Sequence, residues 1–341
     1  MELMIKILVS GFGAGSDQPT AAVYVMDAGG VTQEWSDGRA PMPFLHVDPK
    51  GFFAVAEENG GGLFRYEKSG GGFHFKSAYP TGEKYCHLTY LPSQKTVYAA
   101  SYQAGKLLAL RERDGVFQAC LAELPLNPQD GLTRAHCCAL DPPGAHLYVS
   151  NIALDRIYCF GLNSGVPVPL SGFHYLQLPT GTGVRHIKFH PRLPLAYAMT
   201  EYSSEILILE YHPQTGFLKL IRSVSALPKR FSGTSYGSTL VISRDGRYLY
   251  AANRGANTVA VFSVEENGGI SIKQQADCGG DYPWHIDLSE DETMLLAANK
   301  QSGNVSVISR NEEDGSLGGC LLQIPFGAPS FVKDVTHAFC G

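Results

Sequence analysis

An all-β ring of seven four-stranded repeats is what this sequence predicts, and three observations carry the prediction. Apolar runs of about 5 to 7 residues, bounded by Pro, Gly and Ser clusters, recur along the chain, with no sustained helical periodicity in its most complete repeat. A turn at Pro49, Pro92, Pro142, Pro191, Arg244 and Glu290 returns at spacings of 43, 50, 49, 53 and 46 residues, the period of a propeller blade. A second turn follows each third strand. It occurs seven times: Asp27-Ala28-Gly29-Gly30, Lys68-Ser69-Gly70, Arg113-Asp114-Gly115, Asn163-Ser164-Gly165, Gln214-Thr215-Gly216, Glu266-Asn267-Gly268 and Glu313-Asp314-Gly315.

In chain order, the first repeat begins directly at its second strand, Ile5 to Ser10. The Gly11-Phe12-Gly13-Ala14-Gly15 run that follows a strand is similar to a dinucleotide loop. Ser16 to Thr20 contains Pro19 and leads into another strand, so the run reads as a blade loop. The next three repeats turn at Asp48-Pro49-Lys50-Gly51, Leu91-Pro92-Ser93-Gln94 and Asp141-Pro142-Pro143-Gly144. The fifth is the most complete: Arg185 to Phe189, a His190-Pro191-Arg192-Leu193-Pro194 turn, Leu195 to Thr200, a polar break at Tyr202-Ser203-Ser204, then Glu205 to Tyr211. The sixth and seventh turn at Ser243-Arg244-Asp245-Gly246 and Ser289-Glu290-Asp291-Glu292. After them Pro329 to Val335 has no partners of its own, which makes it the missing innermost strand of the first repeat. The expected fold is therefore a single seven-bladed β-propeller domain over residues 1–341, its first blade closed by a C-terminal strand plus N-terminal strands. Closure removes the sheet edges an open array would expose. A β-sandwich or solenoid would not explain seven second turns against six first turns.

Composition narrows the function. Net charge is −5, and no Lys/Arg run exceeds two residues, which excludes a nucleic-acid footprint. No apolar stretch approaches the roughly 18 residues of a membrane span. The first ten residues hold Lys6 as their one cation and enter a strand without a signal-peptide core, from which a cytoplasmic chain is expected. Cysteines 86, 120, 137, 138, 159, 278, 320 and 340 show neither CxxC pairs nor zinc-finger spacing, so most are expected to be buried thiols. Cys137 and Cys138 point to opposite faces of a strand and should not bridge.

The chemistry collects on the innermost hairpins. Residues equidistant from a hairpin turn face each other, so Arg185 and Glu201 are expected as cross-strand neighbours at the inner end of their blade. The equivalent pairs are Pro43 and Asn59, Cys86 and Tyr102, His136 and Ile152, Ser238 and Arg254, and Trp284 and Lys300. One ring lining the central channel should thus hold His136, Arg185, Glu201, Arg254 and Lys300, with Glu58, Asn151, Asn253 and Asn299 one position away. In a chain only 17% charged, that concentration points to a polar, anionic small molecule as ligand. His46, His87, His186, His190 and His285 lie in or beside first strands, and are expected to be structural or surface residues without a matched trio at one level.

Arg185-His186-Ile187 with Tyr197 to Glu201, Asp245 to Gly255, and Ala297-Ala298-Asn299-Lys300-Gln301-Ser302-Gly303-Asn304-Val305 resemble the seven-bladed propeller lactonase family. That family includes the propeller type of 6-phosphogluconolactonase and the fungal carboxy-cis,cis-muconate cyclising enzyme. The similarity spans essentially the whole chain and is densest from about Thr133 to Ser309. It implies a carboxylic-ester hydrolase of carbohydrate metabolism, in the pentose phosphate pathway, with a cofactor-free, metal-free site matching His136, Arg185, Glu201 and Arg254. Two positions depart from the family pattern: Arg134-Ala135-His136 replaces a His-x-His or Pro-His, and Thr239 and Val241 stand where an acidic residue and a histidine are common.

Hydrolysis of a lactone needs an activated water and stabilisation of the oxyanion. Glu201 is the expected general base, with His136 as second candidate or as acid for the leaving alkoxide. Arg185 and Arg254 would supply oxyanion donors, and Lys300 would hold a phosphate or carboxylate. Asn253, Asn299, Asn151 and Trp284 complete the expected substrate site. The expected partner is a small anionic lactone or sugar acid, bound to a monomer or weak homodimer, with no nucleic acid and no membrane. A tight bidentate Arg185–Glu201 pair would move the base role to His136, because arginine pairing makes a carboxylate a weaker base. The alternatives are a cycloisomerase acting on a muconate-like dicarboxylate and a non-catalytic scaffold, although neither Trp35 nor Trp284 precedes an Asp as in WD repeats. A calcium site of Glu58, Asn151, Asn253 and Asn299 is disfavoured by the neighbouring cations Arg254 and Lys300.

Overall fold

The computed structural model describes residues 4–13, 15, 18–57, 61–126 and 133–339. Glu58, Asn59, Ala14, Ser16 and Cys340, which figured in the sequence reading, lie outside them. Seven antiparallel sheets are present, and the first runs in the order Pro329–Asp334, Ile5–Gly11, Ala21–Asp27, Gly30–Asp37. The C-terminal strand pairs with the N-terminal one from Ile7 opposite Asp334 to Gly11 opposite Pro329. The expected closure is therefore the observed one. The fourth blade differs from the rest: its third strand, Arg156–Asn163, pairs with two short pieces, Val166–Pro169 and Tyr175–Gln177, where the others have one outer strand.

The buried side chains form seven wedges, one between each pair of adjacent blades. One of them joins Ile7 and Val332 of the first blade to Leu296 and Val307 of the seventh, so the ring is closed by core packing as well as by strand pairing. Aromatic hydroxyls tie the wedges together. Tyr98, Tyr148, Tyr197 and Tyr250 each donate to the carbonyl of the second-turn glycine in the following blade, at 2.7–2.9 Å. All seven of those glycines have positive φ, from 57° to 119°. At Gly216 a Cβ would also stand 2.4 Å from the His146 ring, so both backbone and packing demand glycine. Tyr197→Phe should cost about 1–2 kcal/mol in a urea titration, the toll of leaving the Gly268 carbonyl unpaired in a buried interface; an unchanged midpoint would show that the clasp contributes nothing.

Of the described cysteines, Cys137, Cys138, Cys159 and Cys278 are buried and all are free, while Cys120 and Cys320 lie exposed on outer strands. No helix of the described residues is long and apolar enough to cross a membrane.

Candidate active site

The innermost strand of a blade has no neighbour on its channel side, so its side chains and half its backbone amides face the axis. Four of these strands carry a one-residue irregularity at the same place. Pairing jumps from Ala135–Asn151 to Cys138–Val149, from Val184–Thr200 to His186–Met199, from Gly237–Asn253 to Leu240–Ala251 and from Pro283–Asn299 to His285–Ala298. The jumps fall at His136, Arg185, Ser238 and Trp284. A bulge re-aims side chains that a regular pleat would send elsewhere, and His136, Arg185 and Trp284 all reach one cavity of about 320 Å³. Arg185 and Glu201 are thus not register partners as expected; Arg185 sits on the bulge and Glu201 lies just past the end of its strand, held by its N–H to the Gly183 carbonyl.

Glu201 is nevertheless gripped from two sides. Its Oε2 lies 3.1 Å from Arg185 Nε and 3.0 Å from Arg254 Nη2. The first contact is electrostatic and off the N–H axis, since Arg185 Nε makes no aligned hydrogen bond. Neither pair is bidentate, and among the described residues Oε1 has no protein partner. Arg185 is anchored through Nη1 to the Ser238 carbonyl, and Arg254 through Nη2 to Gly237 O at 2.8 Å and Nε to Tyr236 O. That leaves Arg185 Nη2 and Arg254 Nη1 without protein partners among the described residues. Two charged donors and one carboxylate oxygen therefore remain for a ligand. Burial, and then the neighbouring Arg254, bring the Arg185 pKa down to about 10, so the group is still cationic at neutral pH.

His136 lines the same cavity and is buried, with Nδ1 enclosed and unpartnered. Burial first, then Arg185, His87 and Arg254, hold its pKa well below the usual histidine value. The ring is neutral, so it can accept or donate one hydrogen bond but is no reservoir of a strong acid. The expectation that it protonates a leaving alkoxide is not supported by this environment.

Several expected ligand contacts are corrected. Asn151, Asn253 and Asn299 have no exposed surface and do not line the cavity. Each lies at or next to the end of its second strand, one position before the ring position counted from the turn, so alternation turns it into the blade. There Asn151 accepts from the Arg134 and Leu154 amides, Asn253 donates to Ala226 O, and Asn299 donates to Cys278 O and Ser306 Oγ. The three asparagines of the calcium set therefore do not face the channel cavity. Lys300 also stands off the cavity wall, with Nζ 3.9 Å from the Phe12 ring and 4.0 Å from Trp284. Trp284 does line the wall, as expected.

The cation the sequence reading missed is Lys84, which lines the cavity and lies 3.7 Å from Glu57. Lys84 is two residues before the ring position in its blade, outside the hairpin on which the ring was counted. The two departures from the family pattern have separate fates. Arg134 is off the cavity, donating to Tyr202 Oη at 2.6 Å and lying over the Tyr102 ring. Thr239 lines the cavity, whereas Val241 packs in the wedge between the sixth and seventh blades.

The family model for "Lactonase, 7-bladed beta-propeller" matches residues 30–334. The chain belongs to this seven-bladed propeller lactonase family. It is 32% identical over 243 residues to a 6-phosphogluconolactonase of Bacillus subtilis, covering 69% of each chain. An uncharacterized protein of Lactococcus lactis is 26% identical over 297 residues, covering 84% of this chain and 85% of that one. Among solved structures, the periplasmic gluconolactonase of Pseudomonas aeruginosa superposes with a TM-score of 0.89 at 20% identity, covering 97% of this lactonase-family chain and 99% of that one. A Lactobacillus plantarum protein gives 0.88 at 23%, with the same coverage. At these identities the structural likeness speaks to the fold.

Proposed function

We propose that this chain is a lactonase hydrolysing a small anionic sugar lactone of the 6-phosphogluconolactone type. The observation that carries the reading is Glu201, with one oxygen held by two arginines and the other free in a cavity that the neutral His136 also lines. Glu201 Oε1 takes a proton from water while the neutral His136 imidazole holds that water's orientation. The hydroxide attacks the lactone carbonyl, and the oxyanion that develops is met by Arg185 Nη2 and Arg254 Nη1, charged donors already fixed at their other ends. Collapse of the tetrahedral adduct breaks the ring C–O bond. Glu201 returns its proton to the leaving alkoxide, the new carboxylic acid loses its own proton to solvent, and the resulting carboxylate remains between the arginines. The similarity to the Bacillus subtilis 6-phosphogluconolactonase supports the phosphorylated substrate, and on this reading the chain acts in carbohydrate metabolism in the cytoplasm.

Lys84 is the residue for the phosphate on this reading. Lys84→Ala should raise KM for 6-phosphogluconolactone about fivefold with kcat little changed, and leave δ-gluconolactone untouched, since a half-exposed lysine contributes on the order of 1 kcal/mol to an anion contact. Equal effects on both substrates would remove Lys84 from the phosphate subsite. Steady-state assays of both lactones and of a carboxymuconate test the function itself: turnover of the dicarboxylate with neither lactone hydrolysed would replace hydrolase by cycloisomerase.

A further inference from the structure

Beneath the catalytic residues, the next position along each first strand forms a second ring. Phe44, His87, Cys137, His186, Thr239 and His285 occupy it in the second to seventh blades. His87, His186, His285 and Phe44 border both the catalytic cavity and a second cavity of about 300 Å³ on the opposite side, so this ring is the waist of the channel. The imidazoles are close: His87 and His186 have ring centroids 5.9 Å apart, and Phe44 stacks on His87 at 4.0 Å. A matched trio at one level therefore exists, contrary to the sequence expectation.

The hydrogen-bond pattern tells what the trio can bind. Each histidine accepts a backbone N–H from the first strand of the next blade through Nδ1: His87 from Cys138 at 3.3 Å, His186 from Leu240 at 3.4 Å and His285 from Val332 at 3.4 Å. Thr239 Oγ1 does the same for the Ile286 amide. These are amides of channel-facing strands that need partners. A neutral imidazole that accepts at Nδ1 carries its proton on Nε2. The waist thus presents three N–H donors. His87 Nε2 has only the Cys137 sulfur, at 3.7 Å, and His186 and His285 have no protein acceptor among the described residues.

The same geometry argues against a metal. His87, Cys137 and His186 offer ligand atoms within 4.8 Å of one another, a spacing that suits a cation. Binding one through Nε2 would force a proton onto Nδ1, against a backbone N–H. The local charge is also positive: Arg185 borders the waist from above, and Lys188 borders the lower cavity without a carboxylate partner among the described residues, while Lys333 there is paired with Asp287 at 2.8 Å.

We infer that the channel waist is a small-anion site, in which Nε2–H groups of His87, His186 and His285 donate to a monovalent anion such as a halide. The site is distinct from the Glu201 cluster and does not depend on the lactonase reading.

Bromide is the probe. A crystal of the whole chain soaked in bromide should give an anomalous peak between the three rings. In solution, 15N spectra should show protonated Nε2 and bare Nδ1 for all three, with Nε2 shifts that saturate below about 0.2 M bromide, a weak affinity of the kind three neutral donors provide. His285→Leu should weaken that binding about tenfold, and His285→Gln, which keeps an N–H donor, about threefold or less. Nδ1-protonated tautomers, a peak seen only in the crystal without saturable shifts, or zinc bound on His87, Cys137 and His186 in preference to bromide would each overturn the site.

Discussion

Glu201→Gln should lower kcat for lactone hydrolysis about a thousandfold, the upper-middle of what a positioned general base supplies, with KM changed little. Glutamine keeps the volume and one acceptor for the arginines, so the folded ring should persist and the loss should fall on the chemical step. Arg254→Ala should cost about a hundredfold or more in kcat/KM, as one oxyanion donor does, and it also frees Glu201 Oε2 on one side. His136→Ala should cost less than either, because its ring is neutral and in the proposed scheme only orients the water. These three rates rank the roles. A His136→Ala loss as large as that of Glu201→Gln would hand the base role to the histidine, and near-normal rates in all three would end the scheme.

How much of this was legible in the sequence differs by level. The ring, its count and its closure followed from turn chemistry, because glycine at positive φ and proline at a tight turn are local demands that repeat wherever the blade repeats. Residues converging on the site were found by counting outward from each hairpin turn, yet the pairing that justified the count is broken by the bulges at His136, Arg185 and Trp284. An extra residue leaves no mark in a single chain. The asparagines were misplaced for a related reason: the count located the end of each second strand but ignored that adjacent residues face opposite ways. Lys84 and the histidine waist lay within reach, the waist being the same alignment read one residue further on. What hid it was judging each histidine alone, when the signal is the recurrence at His87, His186 and His285 in alternate blades.

The second large effect concerns pH. Five histidines in the channel, His46, His87, His136, His186 and His285, have pKa values pressed down chiefly by burial, to about 4 for His46 and about 3 for His285, with the others well below the usual range. Asp48 and Asp287 pull His46 and His285 the other way without overcoming burial, and Lys188, Lys333 and Arg185 add to it. In the unfolded chain each ring titrates near about 6.5. Between that value and the folded one the unfolded state binds a proton that the native state refuses, so stability is full above about 6.5 and is lost as pH falls below it. Each histidine contributes a slope of up to about 1.4 kcal/mol per pH unit, and the five together about 6 kcal/mol between pH 7 and 5.5, a sizeable part of the roughly 5–15 kcal/mol that holds a typical domain folded. Urea midpoints should fall steeply over that interval, and unfolding at pH 5.5 should take up about four to five protons. His285→Gln, which cannot titrate, should remove about a fifth of the dependence. A midpoint that stays level from pH 7 to 5.5, or an uptake of one proton or fewer, would mean that water or a bound anion lets these rings charge inside the folded channel.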